Sequence, residues 1–227
     1  MISIDTLRSH IAAIEGGHRF GNDVAAETRG PIAAYLVRGG LHALSGEGAW
    51  SFAAALLHGF GGPVLWCRRD GELLTLHPDG LLALGVDPTG LTLVRCPTHA
   101  TLLRTVEEGL RCSAFATVTA DVSGPLDLTA SRRLHLAARR GGVTGLLILP
   151  EQTARGTLSL ATAWTATPAT PAGANATLAW ELTLTRSRSG CGGCWRVERD
   201  GQTNRLDLVA TVRDGPADAG AGDRLAG

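Results

Sequence analysis

The sequence predicts a doubly wound α/β fold: a mostly parallel sheet with helices on both faces and a C-terminal antiparallel β extension. Three observations carry this. Short apolar segments such as Val64-Leu65-Trp66-Cys67 and Val143 to Leu149 suit strands buried on both faces. They alternate with helical patterns, a βαβ rhythm that implies parallel pairing. After Pro150 the rhythm changes, and alternating segments follow one another with only turn signals between them.

The elements follow in order. Ile4, Leu7, Ile11 and Ile14 recur at helical spacing behind Ser3 and Asp5, either of which could cap the start, and Gly16-Gly17 ends the run, so residues 1–17 read as an amphipathic helix. Residues 18–213 form the core, irregular and glycine-rich as far as residue 40. Leu41 to Leu44 is a strand, Ser45-Gly46-Glu47-Gly48 a turn and Ala49 to Phe60 a helix. Gly61-Gly62-Pro63 punctuates before the strand Val64 to Cys67. A small helix at Leu81 to Gly85, a strand at Leu91 to Arg95 and a helix capped by Thr98 and running through Arg111 come next. Ser113 to Ala120 is a strand, Leu128 to Arg140 a helix closed by Gly141-Gly142, and Val143 to Leu149 another strand. Thr157 to Ala166 alternates as a strand and Thr167 to Ala176 is a Pro/Ala/Thr/Gly linker. Residues 177–213 read as a meander of Leu178 to Thr185, Cys194 to Arg199 and Arg205 to Val212, with turns at Ser189-Gly190 and Asp200-Gly201. Residues 214–227 carry too little apolar surface to offset the entropy of ordering them and read as a disordered tail.

Composition narrows the function. With 227 residues, 44% of them hydrophobic and 19% charged, the chain can build one sizeable core. No apolar run approaches the roughly 18 residues of a membrane span. The opening helix, with Asp5, Arg8, His10 and Glu15, resembles neither a secretory signal nor a transit peptide. Five cysteines, without the spacing of a disulfide scaffold, fit a reducing compartment, so a cytoplasmic protein is expected. Formal net charge is zero, so binding of nucleic acid would need a local basic patch. All 21 basic residues are arginine, which removes Schiff-base chemistry, a lysine general base and the cation of a phosphate-binding loop. There is also no Gly-x-Ser-x-Gly elbow, no HExxH and no His pair at metal-ligand spacing. The expectation is a binding protein without catalysis, cofactor or metal.

Several groups are candidates for that binding. Gly46-Glu47-Gly48-Ala49-Trp50-Ser51 lies between a strand and a helix, where phosphate loops sit, but Trp50 intrudes and the lysine is missing. Asp121, near a strand end, reads either as a metal-ordering acid or as a turn cap. Arg132, Arg133, Arg139 and Arg140 share one helix, with spacings of seven that put them on adjoining faces open to solvent, a partner or DNA. Trp195 and Arg196, near Arg186, Arg188 and Arg199, offer either a stacking patch or a tryptophan packed on the sheet. Leu7 and Ile11 suit docking, self-association or core packing. Cys191-Gly192-Gly193-Cys194 falls in a hairpin and reads as a turn before a zinc or redox site, since zinc needs two further ligands.

Residues Gly46 to Phe52 occupy the place of the Walker A loop in RecA-type ATPases, without its signature. Gly62-Pro63-Val64-Leu65-Trp66-Cys67 and, above all, Leu126-Asp127-Leu128-Thr129-Ala130-Ser131-Arg132-Arg133-Leu134 running to Gly142-Val143-Thr144-Gly145-Leu146-Leu147 look like the ImuA family. The resemblance extends over roughly residues 1 to 213. It implies a RecA-like core without ATP hydrolysis, acting as an adaptor in SOS-induced, error-prone translesion DNA synthesis. The partners it implies are a Y-family-like polymerase homologue, an error-prone replicative-type polymerase and RecA itself. Where RecA carries a water-activating glutamate, Arg68-Arg69-Asp70 stand here. Two other readings stay open: a cell-division inhibitor resembling the SulA suppressors, and a degenerate ATPase that holds nucleotide through the backbone N–H groups around Gly46 and Gly48.

Overall fold

The computed structural model describes Ile32 and residues 35–71, 76–187 and 192–213. Among the described residues nine strands form one sheet: β1 (Leu41–Ser45), β2 (Val64–Arg69), β3 (Leu91–Cys96), β4 (Thr117–Asp121), β5 (Thr144–Ile148), β6 (Thr162–Ala169), β7 (Ala176–Ser187), β8 (Gly193–Asp200) and β9 (Leu206–Arg213). Their order is β3-β2-β4-β5-β1-β6-β7-β8-β9. Every pair from β3 to β6 is parallel, and β6 to β9 pair antiparallel. The α/β architecture with its antiparallel extension is the one the sequence rhythm predicts.

The helices are α1 (Ala49–Phe60), α2 (Pro78–Ala83), α3 (His99–Arg111), α4 (Leu128–Gly141) and α5 (Glu151–Ala154). They divide between the two faces. One core joins α1 and Leu81 of α2 to Trp66, Trp164, Trp180, Leu182 and Val197 of the sheet. The other joins Leu102, Val106 and Leu110 of α3 to Leu134, Ala137 and Ala138 of α4 over β4 and β5. The central strands β1 and β5 are buried at every position, which is why they read as continuous apolar runs without alternation.

Capping chemistry explains the helix starts. The Thr101 N–H donates to Thr98 Oγ1 (3.1 Å) and the Ala130 N–H to Asp127 Oδ1 (2.7 Å). Gly142, at φ +67°, ends α4 in the left-handed conformation, its N–H donating to Ala138 O. α2 begins earlier than the sequence suggests, because Pro78 fits a first helical position that needs no N–H.

Two boundaries differ from expectation, each for a stated cause. β4 begins at Thr117, not near Ser113, because residues 112–116 turn: the Phe115 N–H donates to Cys112 O (3.1 Å) and the Ala116 N–H to Pro63 O (2.8 Å). β6 begins at Thr162, not Thr157. The preceding segment buries Leu158 and Leu160, but the Arg186 guanidinium satisfies its backbone, donating to Leu158 O (3.0 Å) and Gly156 O (2.9 Å).

The expected linker at 167–176 is partly strand as well. β6 runs to Ala169, whereas β1 pairs with it only as far as Ser45 opposite Thr165. Pro168 therefore sits beyond the end of β1, where its missing N–H costs no ladder bond on that side. This overshoot of β6 past β1 builds the wall against which the next loop folds.

Candidate functional site

After Ser45 the chain turns through Gly46, Glu47 and Gly48 into α1. Gly46 has φ +87°, and a Cβ there would stand 2.6 Å from Ala166 O. Conformation and space both demand glycine. Gly48 is buried, and a Cβ on it would meet Trp180 Cδ1 at 2.8 Å and Ala166 O at 3.0 Å. The two glycines thus let the turn lie on β6 and β7.

Several polar groups of the turn are used within the chain. The Gly48 N–H donates to Ala166 O (2.9 Å) and the Ala49 N–H to Gly46 O (3.1 Å). The Ser51 hydroxyl donates to Gly48 O (3.1 Å) and accepts from the Trp180 indole N–H (2.9 Å). Trp50 stacks on Trp66 with centroids 5.3 Å apart and planes 25° apart. The buried Arg68 guanidinium lies 5.5 Å from the Trp50 ring centroid, within cation–π reach. Glu47 is exposed, and Asp121 is half-buried at the end of β4, with β5 standing between it and β1. No local motif identifies Trp180, which reaches this loop from 129 residues away.

The four arginines of α4 separate into two groups. Arg133 pairs with Glu107 of α3, whose side chain is 9% exposed and also accepts from Arg111 at 2.5 Å. Arg132, Arg139 and Arg140 are exposed and have no ion-pair partner among the described residues. Arg132 and Arg139, with Leu128, His135, Leu136 and Ser159, line a surface depression of about 330 Å³.

Of the second basic patch, Arg188 lies outside the described residues, and the other members are engaged separately. Trp195 packs into an aromatic group with Tyr35 (5.5 Å) and Trp164 (5.6 Å), on one side of β8. Arg196, next in the strand and so on the opposite side, donates to Thr170 O and lies 3.4 Å from Glu198 Oε1. Arg186 is engaged with the carbonyls before β6.

Several titratable groups are buried. Burial would raise the Glu198 carboxyl, but N–H groups of Ala172 and Gly173 at 2.9 Å, with Arg196, hold it below the usual carboxylate range. Burial lowers the Arg199 guanidinium, with nearby Asp200 acting the other way; Arg199 donates to Thr177 Oγ1 (2.8 Å), Ala83 O (2.5 Å) and Asn204 Oδ1. It ties α2 to the β8–β9 hairpin. His42, in β1, is lowered to about 4 by burial above all, with a hydrogen bond to Val37 O opposing and nearby His135 assisting. Burial pushes the Cys67 thiol up to about 12, with Cys96 adding to it.

Leu7 and Ile11, the opening helix 1–17, the tail 214–227 and Cys191 lie outside the described residues. Cys194 is half-buried, its Sγ 3.5 Å from Thr183 Oγ1. Among the described residues no three His, Cys, Asp or Glu side chains gather as a metal site, and no helix is long and apolar enough to cross a membrane.

Comparison with known proteins bears on the resemblance. The chain is 33% identical over 125 residues to Protein ImuA of Caulobacter vibrioides strain NA1000 / CB15N, covering 50% of each chain, and the same figures hold for Protein ImuA of strain ATCC 19089 / CIP 103742 / CB 15. By sequence this chain is similar to ImuA over that stretch. It spans about half the length of the curated ImuA proteins it matches. No family model matches. A crystal structure of SulA from Pseudomonas aeruginosa aligns at 21% identity and a TM-score of 0.41, covering 48% of this chain and 95% of that one. The segment on which the likeness to ImuA was most specific, Leu126 to Leu147, forms the approach to α4, α4 itself and most of β5. It therefore carries both the paired and the unpaired arginines.

Proposed function

We propose that this chain is a non-catalytic accessory protein of SOS-induced, error-prone translesion DNA synthesis, working as an adaptor that holds macromolecules. Kinship with ImuA supports the pathway. The observation that carries the mechanism is the closed loop after β1: the N–H groups of Gly48 and Ala49 and the Ser51 hydroxyl are bonded inside the chain. A triphosphate needs such donors free, together with the loop lysine that reaches its oxygens, and this sequence contains no lysine. The partners on this reading are a Y-family-like polymerase homologue, an error-prone replicative-type polymerase and RecA.

The test has two parts. Co-expression with the polymerase-like partner should give a complex that survives purification, and millimolar Mg-ATP should leave the melting temperature of the chain unchanged, since only a ligand bound to the native state raises it. Magnesium-dependent phosphate release by the pure protein would overturn the non-catalytic reading, and absence of any complex would overturn the adaptor.

A further inference from the structure

We propose that the outer face of α4 is a docking surface for an acidic, leucine-bearing segment of a protein partner. This rests on the adaptor reading and names the surface it would use. Leu128 and Leu136 are 49% and 44% exposed, large for leucines within a regular helix. They stand eight residues apart, about 12 Å along the axis. Arg132 lies between them and Arg139 one turn beyond, so apolar and cationic groups share one stripe. The stripe is concave: these four side chains, with buried His135 and with Ser159 from the segment before β6, enclose the 330 Å³ depression.

Charge supplies the identity of the occupant. α4 contains no acidic residue, and its cap Asp127 is engaged at the Ala130 N–H. Arg133, one residue along, is neutralised by Glu107, so the fold does match an arginine where it needs to. Arg132 and Arg139 have no such match among the described residues. Carboxylates on a partner would complete them, while its apolar side chains would cover Leu128 and Leu136. Single-stranded nucleic acid fits less well, since no Phe, Tyr or Trp lines the depression to stack on a base and the one ring there, His135, is buried.

The experiment uses the full chain and two fluorescent probes: a helix-forming peptide presenting leucines flanked by glutamates on one face, and oligothymidylate. The peptide should bind the parent protein and weaken about tenfold or more on Arg132→Glu/Arg139→Glu and on Leu136→Asp. Arg140→Glu, on the same helix but outside the depression, should bind as the parent does. All four positions are exposed, and unchanged melting temperatures verify that the variants fold. A glutamine version of the peptide should bind less well. Equal peptide binding by every variant, no peptide binding at all, or oligothymidylate bound through Arg132 and Arg139 in place of the peptide each overturns the proposal. Co-purification with the polymerase-like partner is scored separately, so loss of this surface and loss of the adaptor role are distinguishable.

Discussion

Two side chains and one backbone carbonyl settle the state of His42. The Trp164 indole N–H donates to Thr162 Oγ1 (2.8 Å), which leaves that hydroxyl to donate to His42 Nδ1 (2.7 Å). The Val37 carbonyl can only accept, so His42 Nε2 carries the proton (3.1 Å). A second proton would have to enter at Nδ1, against a hydroxyl hydrogen and in a fully buried site. With the folded value near 4 and the unfolded value near 6.5, the unfolded chain takes up its proton first as pH falls. The stability this group contributes is complete above pH 6.5 and declines toward pH 4, by about 3 kcal/mol in all. Urea titrations between pH 7 and 5 should show that decline, and His42→Gln, which can donate to Val37 and accept from Thr162, should flatten it. A pH slope unaltered by the substitution would refute the assignment.

Between helices, Glu107 is the shared acceptor that joins α3 to α4. It is nearly buried on α3 and takes a guanidinium from its own helix, Arg111, and one from α4, Arg133. Either arginine alone leaves the carboxylate a partner, whereas losing both strands a charge in a dry site. Arg111→Ala and Arg133→Ala should therefore each cost little, and the double substitution should exceed their sum by about 1–3 kcal/mol in a chemical-denaturation cycle. Additive values would mean that the carboxylate is solvated after all. At this scale the sequence was informative where signals are local. Thr98 and Gly142 marked helix ends because capping is decided within a few residues. It misled at 157–166, where alternation continues but Arg186, far along the chain, replaces the ladder. It treated Arg133 as equivalent to its neighbours because nothing local reveals Glu107.

Across the molecule, stability should fall from the centre of the sheet to its margins. β1, β4 and β5 are enclosed by neighbours and by helices, while β3 and β9 each lack a partner strand on one side among the described residues and expose Leu93, Leu208 and Val209. Hydrogen exchange should accordingly be slowest in β1 and β5 and fastest in β3 and β9, and the reverse order would contradict the described topology. The βαβ rhythm disclosed this plan because parallel sheets impose it on the sequence. What the rhythm could not disclose is that the antiparallel half reaches back over the parallel half, through Ala166 and Trp180, and shuts the loop at Gly48. That clasp makes the missing lysine hard to restore. Trp50→Lys would supply an ammonium while removing the ring that stacks on Trp66, yet Gly48 would remain hydrogen-bonded to β6 and Ser51 to Trp180. The substituted protein should lose stability and still show no ATP-dependent shift in melting temperature. Regaining a nucleotide would require rewriting two distant strands together, so the route back is barred by architecture more than by any single amino acid.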